Sequence, residues 1–173
     1  MIIDISDILY ETGSSKAYEG KVVMEGIEYQ GENIRFDKPF DVKGNIINGG
    51  EMIVLNAHLK GKAILQCGSC MESYSYLVDH KIDVNLKATL DEDDPDFYVY
   101  SNDRIDLSDI MLREFLLRIP IRRRCSEECQ GLCPHCGVNL NKEECQCENG
   151  DQQHIDSRFA VLKDLFPNRN GEV

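Results

Sequence analysis

Several signals that would assign the chain to a common functional class are missing. No uninterrupted apolar stretch approaches the ~18 residues of a membrane span. The opening MIIDISDILYE has neither a basic leader region nor an apolar run of signal-peptide length, so a soluble, cytoplasmic protein is expected. There is no phosphate-cradling glycine loop, no nucleophile elbow and no carboxylate pair whose placement can be argued, which gives no basis for expecting an enzyme. Repeats and low-complexity segments are also absent. Cations are scarce: 19 Lys and Arg against 31 Asp and Glu leave a formal charge of −12. Such a chain is repelled by bare nucleic acid unless its basic residues are gathered in one place. At 173 residues, one core with an appendage is expected and two large domains are not.

Cysteine, by contrast, is plentiful. Six of the eight lie in CSEECQGLCPHCGVNLNKEECQC, residues 125–147. Cytoplasmic thiols are kept reduced and structural disulfides are rare there, so metal ligation is the expected use of so many sulfurs.

The middle of the chain alternates. Ile53, Leu55, Ala57, Leu59, Gly61, Ala63, Leu65 and Cys67 occupy every second position among polar neighbours, and Tyr74, Tyr76, Val78, His80, Ile82, Val84, Leu86, Ala88 and Leu90 repeat the pattern. Period two predicts two long antiparallel strands with one buried face, joined at CGSCMES, with Gly61 marking a bulge or bend. YEGKVVMEG and KPFDVKGNII read as shorter strands, and DEDDPD, residues 91–96, as a solvated loop.

DLSDIMLREFLLRIP predicts a helix over 107–118, capped by Asp106 and ended by Pro120. Projection at 100° per residue places Met111, Leu112, Phe115, Leu116 and Ile119 on the packed face. Asp109 with Arg113, and Glu114 with Arg118, form i,i+4 pairs opposite, and Ile110 and Leu117 fall among the charges on the outer side. Asp156 can cap a short helix bearing Phe159, Leu162 and Phe166, which would pin the tail to the body.

Zinc takes four ligands in a tetrahedron, and two thiolates two residues apart reach one ion when a tight turn lies between them. Cys133-Pro134-His135-Cys136-Gly137 has the proline and glycine for such a turn. Cys145 and Cys147 offer a second pair, with Cys129 and Cys125 next and the hairpin pair Cys67 and Cys70 last. His135 and His154 are weaker nitrogen candidates. Either one four-sulfur site with four spare thiols or two complete sites satisfies the count. A closed tetrathiolate leaves no open position for water and argues for a structural Zn2+. A thioredoxin-like use of Cys67 and Cys70 would place them at a strand-to-helix junction, whereas they join two strands. Arg118, Arg122, Arg123 and Arg124 gather four cations in seven positions, either a contact surface for RNA or a partner, or a counterweight to nearby acids and thiolates. No aromatic stacking motif accompanies them, so sequence-specific RNA reading is not expected.

In this order, DLSDIMLREFLLRIP, CSEECQGLCPHCGVNLN, CQC and IDSRFAVLKDLF resemble the YceD-like family of bacterial and plastid large-ribosomal-RNA accumulation proteins. The resemblance takes in the hairpin C-x-x-C and residues 104–166, while residues 1–60 agree in general pattern. It implies a non-enzymatic cytoplasmic factor needed for 23S rRNA, and hence the large ribosomal subunit, to accumulate. The implied partners are a large-subunit precursor, its rRNA or a ribosomal protein, with no membrane and no small-molecule substrate. Some members keep the hairpin pair without the C-terminal cysteines, which implies that the cluster is an elaboration.

The expected fold is α+β: an antiparallel-sheet body over 1–124 with its packed helix, a cysteine-rich zinc-knuckle segment over 125–150, and a C-terminal helix and tail over 151–173. A metal- or redox-responsive regulator that uses its cysteine pairs as the sensor is the competing class.

Overall fold

A computed structural model describes residues 1–88 and 97–147. The acidic stretch 91–96, Leu90, His154 and the helix expected from Asp156 lie outside the described residues.

The architecture is α+β, with an antiparallel sheet as its body. In chain order the elements are β1 (Ile2–Asp4), β2 (Ser15–Val22), β3 (Ile27–Tyr29), β4 (Glu32–Ile34), β5 (Phe40–Asn48), β6 (Ile53–Gln66), β7 (Ser73–Lys87), β8 (Tyr98–Val99), β9 (Arg104–Asp106) and α1 (Leu107–Arg118). The main sheet has the order β2-β5-β6-β7-β8, antiparallel except where β8 joins β7 in parallel. Two small pairs, β1 with β9 and β3 with β4, complete the strands.

Strands β6 and β7 are the two long alternating runs. Their register is unbroken from Ile53↔Leu86 to Gln66↔Ser73, so every second side chain on each strand points to the same face. Leu55, Leu59, Ala63, Leu65, Val78, Ile82 and Leu86 are buried there and meet Phe40, Val42 and Ile46 of β5. Asp106 caps α1 by accepting the Ser108 N–H at 2.9 Å, and α1 closes the core over this face with Leu107, Ile110, Met111 and Phe115. Among the described residues no helix is long and apolar enough to cross a membrane.

Two local expectations change. Gly61 is neither a bulge nor a bend, because its pairing with Val78 continues the register. It is instead a gap filled by an aromatic ring: a Cβ at Gly61 would lie 2.4 Å from Cδ1 of the fully buried Phe40. The buried face of α1 is also rotated from the projected one. Ile110 is in the core, and so is Glu114, while Leu112, Leu116 and Ile119 are only half-buried and Leu117 is exposed. A helical projection treats Glu114 as solvent-facing because it carries charge. The fold accommodates it by having Tyr98 Oη donate to Oε1 at 2.6 Å and by an ion pair with Arg118, one turn on.

Candidate metal centres

The β6–β7 hairpin ends in Cys67-Gly68-Ser69-Cys70, and its turn follows a pattern that recurs further along the chain. The Cys67 N–H donates to Glu72 O at 2.8 Å and the Met71 N–H to Cys67 O at 2.9 Å. In the downstream knuckle, the Cys133 N–H donates to Val138 O at 2.8 Å and the Gly137 N–H to Cys133 O at 2.9 Å. Met71 and Gly137 each follow the second cysteine of their pair and each adopt positive φ, 61° and 76°. Glycine takes that conformation freely, whereas methionine pays roughly 1–2 kcal/mol for it. A left-handed glycine marks Cys133 and Cys136 in the sequence; Met71 disguises the same turn at Cys67 and Cys70.

The eight cysteines are all free thiols, and the structure gathers them into two sets of four. Cys67, Cys70, Cys125 and Cys129 form the first, and Cys133, Cys136, Cys145 and Cys147 the second. Within each set all sulfurs lie within 4.8 Å of one another. A zinc–sulfur bond of ~2.3 Å in a regular tetrahedron requires sulfurs about 3.8 Å apart. In the first set Cys67 and Cys129 are 3.8 Å apart and Cys70 and Cys125 3.7 Å. In the second, Cys145 lies 3.3 Å from Cys133 and 3.6 Å from Cys136. Both donor sets fit a Zn2+ ion and leave no position for a reacting water. Among the described residues neither His135 nor any other nitrogen belongs to either set.

The first set ties the tail to the sheet. Cys67 and Cys70 come from the hairpin, and Cys125 and Cys129 from the segment that follows α1, held alongside by Gly68 N–H to Arg123 O at 2.9 Å and Leu132 N–H to Ser69 O at 3.1 Å. The set therefore straddles the expected division at 124/125. Three of its sulfurs belong to buried residues, and only Cys125 is exposed. The second set is more open, with Cys133 buried, Cys136 exposed and Cys145 and Cys147 between. Asn141 connects the two: its Oδ1 accepts from Gln130 N–H at 2.9 Å, and its Nδ2 reaches Cys129 Sγ at 3.5 Å. Lys142 bonds Glu72 at 2.7 Å and fixes the second loop to the hairpin.

Local electrostatics divide each set. Burial works against a charged Cys67, but the N–H groups of Cys70, Ser69 and Cys125 outweigh it and bring the thiol down to about 6. N–H groups of Cys136 and His135 likewise bring Cys133 to about 6. At Cys70 the Glu72 N–H favours the thiolate, yet burial and the sulfurs of Cys67, Cys125 and Cys129 win and push it up to about 12. The sulfurs of Cys145 and Cys136 do the same to Cys147, up to about 12. Sulfurs this close cannot all ionise alone, and a divalent cation removes that repulsion.

The four arginines do not form one free patch. Arg118 is bound to Glu114 and to its backbone carbonyl at 3.0 Å. The Arg123 guanidinium lies 3.0 Å from the Glu32 carboxylate with only 12% of its side chain exposed, which joins β4 to the first metal set. Arg122 and Arg124 remain exposed. Glu72, Lys142 and Glu32 carry no local signal as supports of the two sets, because each is paired across a large sequence separation.

A curated protein of Bacillus subtilis (strain 168), "Uncharacterized protein YlbN", is 24% identical over 152 residues, covering 86% of this chain and 87% of that protein. No solved structure matches. The family model described as "Large ribosomal RNA subunit accumulation protein YceD" matches residues 55–166, a span that holds all eight cysteines, and the chain belongs to that family.

Proposed function

We propose that this chain is a non-enzymatic cytoplasmic factor for 23S rRNA accumulation and large-subunit biogenesis, and that its zinc-ordered end presents a contact surface to an assembling large-subunit particle. Membership in the YceD family supports the ribosomal role. The observation that carries the rest is the pair of closed four-sulfur sets, which suit a metal that shapes a surface and not one that performs chemistry. Residues 122–147 bury little apolar surface, and a short segment of that kind depends on a staple to hold one shape. Arg122 and Arg124 stand on that surface, and a reducing cytoplasm would keep the sulfurs available to Zn2+.

The test is affinity purification of the chain from cells at moderate salt, with 23S rRNA measured in a depletion strain. Recovery of large-subunit precursors and a fall in 23S rRNA are expected. Failure to recover precursors, together with normal 23S rRNA on depletion, would remove the reading. A metal- or redox-responsive regulator would instead show the more open second set oxidising readily while the first stays intact.

A further inference from the structure

We propose that the outer face of the main sheet binds the phosphate backbone of RNA through a row formed by Lys43, His58 and Lys81, an inference that rests on the ribosomal reading above. The register sets Lys43 of β5 directly opposite His58 of β6, and His58 opposite Lys81 of β7. Three adjacent strands span about 10 Å, and each nucleic-acid strand carries one negative charge per ~3.4 Å of helix axis, so the row can meet more than one phosphate.

Folding alone does not call for this row. Only His58 stands between the two lysines, whereas the neighbouring row balances each charge with an opposite one across the sheet. There Lys21, Asp41, Lys60 and Asp79 alternate in sign across four strands, with ion pairs of 2.6 and 3.2 Å. Lys43 and Lys81 make no ion pair among the described residues. Glu19 stands opposite Lys43 at the sheet edge, and Asp79 and Asp83 flank Lys81 on β7. Those two aspartates are already taken, Asp79 by His58 at 2.5 Å and Lys60, and Asp83 by Asn56 at 2.5 Å. Two open grooves of about 350 and 550 Å3 lie on this face and share Glu19, Lys43 and His58.

Charge elsewhere favours the sheet over the zinc-ordered end as the RNA surface. Glu127, Glu128, Glu143 and Glu144 oppose the cations of that end, and each loaded tetrathiolate would add two net negative charges. On the outer sheet face no aromatic side chain alternates with the lysines of β5, β6 and β7. Stacked bases are therefore not read, and contact is to the backbone without sequence preference.

The experiment uses the full zinc-loaded chain and a labelled mixed-sequence RNA duplex of about 16 base pairs, with binding followed by fluorescence anisotropy from about 50 mM salt upward. The double variant Lys43→Gln/Lys81→Gln should lose at least about tenfold in affinity at the lowest salt, and its log–log salt slope should fall by about 1.8. Lys43→Arg/Lys81→Arg should restore binding. Unaltered binding by the Lys→Gln pair, or no duplex binding by the wild type, overturns the proposal. Co-sedimentation of wild type and variant with large-subunit precursors separates the two readings. If both co-sediment equally, a protein surface of the particle is the partner and the sheet proposal fails while the ribosomal role stands. If neither the wild type nor the variant co-sediments, both fail.

Discussion

The two metal sets should differ in how strongly they are tied to folding, and the chain separations they bridge say by how much. The first set joins Cys70 to Cys125, 55 residues apart, and the second joins Cys136 to Cys145, nine apart. Closing a flexible loop costs (3/2)RT ln n, so in the unfolded chain the first set assembles about fifteenfold less readily than the second. Zinc bound at the first set would thus discriminate more sharply between folded and unfolded chains, and by linkage it would stabilise the sheet more. The comparison is Cys125→Ser against Cys145→Ser, each carrying one zinc fewer than the wild type, in urea unfolding monitored by the β-sheet circular dichroism at fixed free zinc. Cys125→Ser should lower the folded-to-unfolded ratio by roughly tenfold more than Cys145→Ser. Hydrogen exchange should agree: Cys125→Ser should expose the amides of Gly68 and Leu132, which bridge the hairpin and the tail, while Cys145→Ser should leave them protected. Equal midpoints for the two variants, or loss of Gly68 protection in Cys145→Ser, would refute the reasoning.

Three further outcomes follow from local geometry. Gly61→Ala should destabilise by about 1–3 kcal/mol through overpacking against Phe40, and combining it with Phe40→Leu should recover part of the loss in a double-mutant cycle of chemical denaturation. His80 has a buried Nε2 with no partner among the described residues, and its burial and the Arg118 charge hold its pKa below the ordinary value against the pull of Asp79. The unfolded chain takes up that proton near pH ~6.5 while the folded one resists, so stability falls with acidification. His80→Leu should raise stability by about 1 kcal/mol, and between about pH 7.5 and 5.5 it should lose less stability than the wild type in parallel melts. Asn141→Ala should keep both zincs but release that of the first set at least about tenfold more readily to a competing chelator, because Asn141 Nδ2 supports Cys129 from the second loop.

Much of this was legible before the structure. Period-two alternation located β6 and β7, and the cap at Asp106 with the stop at Pro120 bounded α1, because these are local signals in which each residue reports its own surroundings. What the chain did not disclose depends on distant partners. Gly61 looked like a break in a strand because the ring that fills its gap belongs to Phe40 on a neighbouring strand. Glu114 looked exposed because Tyr98, which pairs with its carboxylate, lies 16 residues away. The grouping of cysteines was open for the same reason: the turn at Cys67 and Cys70 is built like that at Cys133 and Cys136, but Met71 stands where glycine would have revealed it. The arginine run was open in sequence between a contact surface and a counterweight to acids, and the acid that pairs with Arg123 is as far away as Glu32.

Native mass spectrometry of freshly purified chain, combined with thiol titration before and after chelation, tests the two tetrathiolate centres most directly. The account predicts two zinc ions per chain, no readily reactive thiols while they are bound, and eight reactive thiols with a loosened segment beyond residue 118 once they are removed. A metal-free chain equally well ordered in that segment, with its sulfurs bonded to one another in pairs, would contradict it.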